Sequence, residues 1–588
     1  MSALEYRTDA SSLRANPGQW AAYESTGNCV ILAGPGSGKT KTITIKIARM
    51  LAEDVHSPRR IACITYSNAC VSELRSRMRQ LKIKQESRLL LSSVHSFCLT
   101  ELVQPYGKLA GLQMPDRIMV ATPSQSRDVF KRAQINVLGS EQRSSFRTAC
   151  DRLRRTILDR TSAEWFSWDA RQTAVVEAYE ADLFARGLID FDGLLLAGVK
   201  LVEDYVWIRR VVKAKFPVIV IDEYQDLGLP LHRMVLALMH KANVRILAVG
   251  DPDQSIYGFT GANPALLGSL ALLQNVEVIR LKLNYRCAEK IITASTSLLP
   301  APAEFMSHDG RAGLIQIYKV EQAISGQAQY ALSTLVPDLL KNNPNWRSGD
   351  IAFLYPTKNE GIAIARSADA LRLQYFRADN GSPLKRSRLI DWLVAAAQWC
   401  GGGWANGQVS LEQILRSWQQ MRRPPVSDRE AREDRKRLVS SLFAMRDGNI
   451  RLHSWLTTLY DLVLKAAMAR EPGLADEEDN LLELLSACSP AGELSSYTVE
   501  IFGNQGKDPD RLNFMTLHGS KGLEFQAVIM VGLEEGNFPS SMVRSEEGMS
   551  EALRLFYVGL TRAKSQVHLL FNHRESPFLR TIRSSMPP

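Results

Sequence analysis

The chain has 588 residues, 45% apolar and 23% charged, and its 72 lysines and arginines against 62 aspartates and glutamates give a net charge of +10. The length favours about four domains with sizeable cores. No run approaches the roughly 18 consecutive apolar residues of a membrane span and no apolar signal core opens the sequence, so membrane-spanning and exported classes are excluded and a cytoplasmic setting is expected.

In chain order, the first informative stretch is 28–51. The apolar run Cys29-Val30-Ile31-Leu32 meets the Gly-rich turn Ala33-Gly34-Pro35-Gly36-Ser37-Gly38-Lys39-Thr40, and apolar residues at helical spacing follow. That is strand, loop, helix. Short β-branched runs at 61–65, 218–221, 244–249 and 276–281 alternate with helical patterns, and a second set covers 314–320, 351–355, 512–516, 527–531 and 566–572. Such alternation predicts an α/β fold with parallel sheets and helical crossovers. Two stretches, 101–186 and 381–507, are rich in helix formers and charge, and read as mainly helical insertions. The basic runs at 152–155 and 432–437 read as solvated helix faces, and Gly401-Gly402-Gly403 and the acidic run 476–479 as loops. Eight cysteines, without a C-x-x-C pair or histidines at zinc-ligand spacing, read as free thiols in a reducing compartment. The positive balance favours a polyanionic partner such as nucleic acid.

The segment from Ala33 to Thr40 has the context a phosphate-binding loop requires, between a strand and a helix. Glycines free backbone amides that, with the helix N-terminus, cradle phosphates. Lys39 is expected to neutralise the β and γ phosphates and the Thr40 hydroxyl to complete a Mg²⁺ shell, with 33–41 as the nucleotide-binding stretch, Lys41 included. Ala33 stands where the usual pattern has Gly; it is small enough for a turn without positive φ. The strand 218–221 runs into Asp222-Glu223-Tyr224-Gln225-Asp226, at the end of a strand where parallel sheets present ligand sites. Asp222 can hold Mg²⁺ and Glu223 can polarise the attacking water, although acids after a buried strand also serve as helix caps.

The chain resembles the UvrD, Rep and PcrA branch of superfamily-one DNA helicases. Asn16-Pro17-Gly18-Gln19 is similar to the adenine-reading Gln motif, and Thr65-Tyr66-Ser67-Asn68-Ala69 to T-F-T-N-x-A. Gly250-Asp251-Pro252-Asp253-Gln254-Ser255-Ile256-Tyr257-Gly258-Phe259 resembles G-D-x-D-Q-S-I-Y-x-[FW], and Leu283-Asn284-Tyr285-Arg286 resembles L-N-Y-R. The segment from Thr516 to Phe525 resembles T-x-H-x-x-K-G-L-E-F, and that from Tyr557 to Ala563 resembles Y-V-G-x-T-R-A.

The resemblance implies two RecA-like P-loop domains, each with a helical insertion. The first is expected at 1–100 and 187–275 with its insertion at 101–186, the second at 276–380 and 508–588 with its insertion at 381–507. It implies ATP and Mg²⁺ as cofactors, ATP lying in a cleft between the domains, and 3′ to 5′ movement on single-stranded DNA with separation of duplex junctions. Gln19 would read adenine, Tyr285 would stack on the base, Gln254 would sense the γ phosphate and Glu524 would reach the ribose. Arg286 and Arg562, both expected on the second domain, would stabilise transition-state charge, a contribution of about 10³ to 10⁵ in rate for a comparable arginine finger. DNA contacts are implied at Thr65, Tyr66, Asn68, His95, Tyr257, Phe259 and His518, with base stacking on Tyr66 and Phe259.

Two departures stand out. Val94 replaces the aromatic before His95-Ser96-Phe97, and Thr260 stands where the family usually carries Arg in R-G-A, removing one basic contact between DNA and the ATP state. An ATPase switch or clamp on DNA that does not translocate, and the same engine acting on RNA, are the rival readings. The pathway is left open between DNA repair and antiviral defence, where compact members of the branch work as motor partners of nucleases. No acidic and Lys cluster of a nuclease is present outside the ATP motif, and no membrane partner is expected.

Overall fold

The computed structural model describes residues 10–65, 88–112, 118–300, 304–377, 387–405, 409–421, 427–469, 477–492, 494–504 and 509–585, together with 70–71, 74–75, 77–78, 379 and 474. They fall into two units. The first comprises Met1–Ala312, Arg544–Tyr557 and Ser585–Pro588, the second Gly313–Val543 and Val558–Ser584.

The first unit is built on six parallel strands: β1 (Asn28–Ala33), β2 (Ile61–Thr65), β3 (Leu89–Ser93), β4 (Val218–Ile221), β5 (Arg245–Gly250) and β6 (Val276–Leu281), in the order β3-β2-β4-β5-β1-β6. The near-continuous apolar runs follow from burial on both faces. Alternate residues serve two cores: Val30, Ala62, Ile64, Ile219, Ile221, Ile246 and Ala248 pack on one side, Cys29, Ile31, Cys63, Val218, Val220, Leu247 and Val249 on the other. The registers pair Ile64 with Ile221, Ile221 with Ala248, and Leu32 with Gly250. Gly34, Thr65, Asp222 and Asp251 therefore leave the sheet at one common edge, the carboxyl end of the strands.

β6 corrects the expected domain boundary at 276. It pairs with β1 along its whole length, from Asn28 opposite Val276 to Ala33 opposite Leu281. Residues up to 312, and 544–557 from the far end of the chain, also belong to this unit and not to the second. The insertion starts later than 101, because Leu102, Val103 and Ala110 pack in the sheet's own core. Its neck is the parallel pair Met119–Val120 and Leu188–Ile189. Beyond it, helices Pro123–Leu138, Ser144–Thr156 and Ala170–Ala185 close on a core that includes Phe130, Leu153, Trp165 and Tyr179.

The basic run at 152–155 is not a solvated face. Leu153 is fully buried, and buried Arg154 bonds Asp190 through both terminal nitrogens at 2.6 and 2.9 Å and Glu180 through Nε at 2.7 Å. Tyr179 donates to the same Asp190 at 2.9 Å. Burial alone would raise the Asp190 pKa, but the Arg154 guanidinium and these hydrogen bonds hold it down at about 2. A fully bonded guanidinium explains how an arginine stays in the interior.

The second unit carries β7 (Leu314–Lys319), β8 (Ile351–Tyr355), β9 (Tyr375–Arg377), β10 (Leu512–Thr516), β11 (Phe525–Met530) and β12 (Ala563–Phe571), all parallel, in the order β7-β12-β11-β8-β10-β9. A separate helical body between β9 and β10 closes on Trp392, Trp418, Leu442, Trp455, Leu484 and Phe502. Two expected loops there are helical. Gly401 to Gly403 ends a helical turn with Gly402 at φ 109°, and Glu478 and Asp479 open the helix Glu478–Cys488, where carboxylates complement the amide dipoles.

None of the eight cysteines is in a disulfide, and all but half-buried Cys70 are buried. Burial pushes the Cys29 thiol up to about 11 and those of Cys98, Cys150, Cys400 and Cys488 to about 12. Among the described residues no helix is long and apolar enough to cross a membrane.

Candidate active site

The loop between β1 and the helix Lys39–Glu53 turns through Gly36 at φ 66° and Gly38 at φ 78°, conformations that side chains with a Cβ adopt at a cost. Neighbours close on it from outside. A Cβ on Gly36 would lie 2.5 Å from Arg286 Cβ and 2.6 Å from Asn284 Oδ1, and one on Gly38 would lie 2.5 Å from Gln19 Nε2. A Cβ on Gly34 would run into the ring of Phe305. Glycine is therefore needed here for space as well as for φ.

Lys39 opens the helix, so amides without intrahelical partners surround its base. Its Nζ is buried and has no hydrogen-bond acceptor among the described residues; Glu223 Oε1 is 3.6 Å away. Burial works to lower the Lys39 pKa, but the carboxylates of Glu223, Asp251 and Asp222 outweigh it and raise it. A charged ammonium with unused donors, at a helix N-terminus, is built to receive an anion. Thr40 follows on the same helix, and Asp222 is buried at the end of β4, its amide donating to Ile64 O at 3.0 Å. A hydroxyl and a carboxylate are the hard oxygen donors that suit Mg²⁺, which takes most of its remaining ligands from water and phosphate.

Glu223 has φ 53° and ψ 45°, left-handed for a residue with a full side chain. Such backbone costs of the order of 1 to 3 kcal/mol and persists where the surroundings impose it. Here Asp222 Oδ1 accepts the Glu223 amide at 3.0 Å and Gln225 Nε2 donates to Glu223 Oε2. Gln225 also accepts the Asp251 amide at 3.0 Å, tying the ends of β4 and β5 together. Asp251 is buried, which pushes its pKa up, and accepts from Gln254 Nε2 at 2.5 Å. Gln254 is thereby held on the same edge as Lys39 and Glu223.

Gln19 lies on the helix Pro17–Glu24, capped by Asn16 Oδ1, which accepts from the Gly18 and Gln19 amides at 3.1 and 3.2 Å. Its Nε2 donates to Ser37 O at 3.0 Å, so the side chain is docked on the loop itself. Tyr285 meets the same loop: its amide donates to Gly36 O at 2.8 Å, its hydroxyl accepts from Asn16 Nδ2 at 3.2 Å, and its ring lies 4.5 Å from His308. Tyr285 and Arg286 were expected on the second domain; they belong to the first unit, because β6 continues the first sheet and Asn284 Oδ1 pins the Arg286 and Cys287 amides at 2.8 Å each.

Arg562 and Glu524 do lie in the second unit. Arg562 is buried, donating through Nε to Val558 O at 2.9 Å and through Nη2 to Thr561 Oγ1 at 3.1 Å. Exposed Glu524 pairs with Lys564 at 3.0 Å. His518 sits in the short turn after β10, its pKa lowered by burial and by Lys521.

Of the expected DNA contacts on the first unit, Tyr66 and Asn68 lie outside the described residues, as does the side chain of Phe259, whose backbone forms the turn Gly258–Thr260. Thr65 ends β2, with its buried Oγ1 unpartnered among the described residues. Half-buried Tyr257 precedes that turn, and Thr260 Oγ1 donates back to Tyr257 O at 2.8 Å. His95 is half-buried, its pKa lowered chiefly by burial, with its ring 4.9 Å edge-on from Phe191. Phe191, 47% exposed, was not singled out in the sequence, nor was Phe305; each lies far along the chain from the motif it touches, so no local pattern marks it.

A glycine cradle at the end of β1, a buried lysine without an acceptor among the described residues and an acidic pair at the end of β4, two strands away at the same edge of the sheet, define a P-loop protein built on parallel sheets. Residues 15–271 match the UvrD/REP helicase N-terminal domain and residues 411–574 the UvrD-like helicase C-terminal domain. The chain belongs to the UvrD-like helicase family. It is 26% identical to the ATP-dependent DNA helicase Rep of Escherichia coli (strain K12), over 94% of this chain and 90% of that protein. To the ATP-dependent DNA helicase PcrA of Bacillus subtilis (strain 168) it is 25% identical, over 96% of this chain and 84% of that protein.

Proposed function

We propose that this protein is an ATP-dependent DNA helicase that moves 3′ to 5′ on single-stranded DNA and separates duplex junctions. The observation that carries the reading is Lys39 Nζ, buried with no acceptor among the described residues, at the mouth of a cradle closed by Gln19, Asn284 and Tyr285. The relatives named above are ATP-dependent DNA helicases, and their similarity covers most of this chain.

In this reading Lys39 and the loop amides hold the β and γ phosphates, while Gln19 and Tyr285 take the adenine end. Thr40 and Asp222 hold Mg²⁺, which supplies charge neutralisation at the phosphates. Glu223, between Lys39 and Gln225, accepts the proton of the attacking water. Gln254 orients against the γ phosphate, and Arg286 and Arg562 offset the charge that develops as the bond breaks. Glu524 contributes to ribose binding. Tyr257, Phe259, His95, Thr65, Tyr66, Asn68 and His518 contact the strand. A setting in repair or beside a nuclease in antiviral defence is compatible with this engine, and the cytoplasm is its expected location.

The test combines turnover with direction. ATP hydrolysis should rise on adding single-stranded DNA more than on adding RNA of the same sequence, and streptavidin should be displaced from a biotin at the 5′ end of an oligonucleotide and not from one at the 3′ end. Stimulated hydrolysis without displacement from either end would replace the helicase by a DNA-bound ATPase switch, the reading that Thr260 favours.

A further inference from the structure

Gln254 is followed by a loop, 255–261, gripped by side chains from a distant part of the sequence. Arg554 Nε donates to Ser255 O at 2.6 Å, and Glu551 Oε1 accepts the Gly258 amide at 3.1 Å. Both come from one face of the helix Glu546–Leu560, three residues apart, and both lie in the first unit with the loop they hold. The grip is close: a Cβ on Gly258 would come within 3.0 Å of Glu551 Oε2. Further along, Gly261 turns at φ 88°, where a Cβ would meet Arg155 Cδ at 3.1 Å. The loop is also tied to the strand end, where Ser255 Oγ donates to Gln225 O at 2.9 Å, and just beyond it Asn263 N donates to Leu227 O at 3.2 Å. The Glu551 and Arg554 bonds thus connect the segment bearing Gln254 to the helix that runs on to Leu560, just before Arg562.

We propose that Glu551 and Arg554 are positioning residues. They hold the loop after Gln254 so that its carboxamide stays aligned with the phosphate site, and they couple that alignment to the helix leading to Arg562. The proposal rests on the ATP-hydrolysing reading above, and neither residue is among those assigned there to the nucleotide.

The experiment uses the full-length chain and the variants Arg554→Ala, Glu551→Ala and Glu551→Gln. Steady-state ATPase is measured with and without oligo-dT, ATP affinity with a fluorescent analogue, and amide hydrogen exchange over 255–261. Arg554→Ala and Glu551→Ala should each lower DNA-stimulated kcat at least about tenfold with ATP affinity within about twofold of wild type, the pattern of lost transition-state alignment. Glu551→Gln keeps an acceptor for the Gly258 amide and should retain most of the turnover. Exchange over 255–261 should quicken in both alanine variants, a readout that holds even if the wild-type chain hydrolyses nothing, which would overturn the functional reading alone. Unchanged exchange, turnover within twofold of wild type in both alanine variants, or equal loss of ATP affinity and turnover would each overturn the proposal.

Discussion

Lys39 carries its charge in a place where water cannot solvate it fully, and three carboxylates keep it protonated. Lys39→Ala leaves those carboxylates facing the phosphates without a cation, so ATP turnover should fall to background, measured by phosphate release. Glu223→Gln preserves the size of the side chain but removes the carboxylate proposed above as the proton acceptor. It should bind ATP and single-stranded DNA yet hydrolyse at least about a hundredfold more slowly, the scale of a lost general base. Asp253 gives a pH test. Burial and the neighbouring Asp251 push its pKa from 3.8 up to about 6, so the folded chain keeps this proton to higher pH than the unfolded chain does. Stability therefore declines as pH rises from 3.8 through about 6, and the penalty is complete above that. Asp253→Asn should raise the urea midpoint more at about pH 8 than at about pH 5; an equal rise at both would assign the gain to packing.

At the scale of elements, Arg154 ties the helix Ser144–Thr156 to Glu180 and Asp190 in the insertion of the first unit. Arg154→Leu would leave Asp190 buried beside Tyr179 without its cation, and should destabilise the insertion by about 3 to 5 kcal/mol, read from denaturant unfolding. The same residue shows where sequence patterns stop. A run of Arg-Leu-Arg-Arg looks like a wet surface because local spacing does not reveal the acids that arrive from Glu180 and Asp190 in three dimensions. The central strands were readable because burial on both faces leaves an apolar run, as in β1, β4 and β5. Edge strands β3 and β9 lack that signature: β3 ends in two serines and β9 has only three residues. The phosphate loop, the acidic pair and Gln254 were legible because each chemistry is confined to a few consecutive residues. The placement of Arg286 was not, since it depends on pairing between β6 and β1, more than two hundred residues apart.

For the whole molecule, the question is how occupancy of DNA reaches the ATP site. Phe259 lies in the turn directly after Tyr257, on the loop that starts at Gln254. Phe259→Ala should lose most of the DNA stimulation of ATPase, leave basal turnover near wild type, and weaken single-stranded DNA binding by about 1 to 3 kcal/mol, the range for one stacked base. Thr260→Arg should act oppositely, because a cation there adds a phosphate contact. Both are measured as ATPase against DNA concentration at one fixed salt, since phosphate contacts make affinity salt-dependent. Full stimulation in Phe259→Ala would remove the stacking role.

The distribution of thiols turns the native chain into its own optical probe. Seven cysteines are buried and Cys70 alone is partly open, directly after the Thr65-to-Ala69 segment. A thiol-reactive fluorophore should therefore modify one position in the folded protein and eight after unfolding, as titration with a chromogenic disulfide would count. Attached two residues after Asn68 in the sequence, the dye should change its emission on adding single-stranded DNA, the outcome expected of the proposed strand contacts at Tyr66 and Asn68.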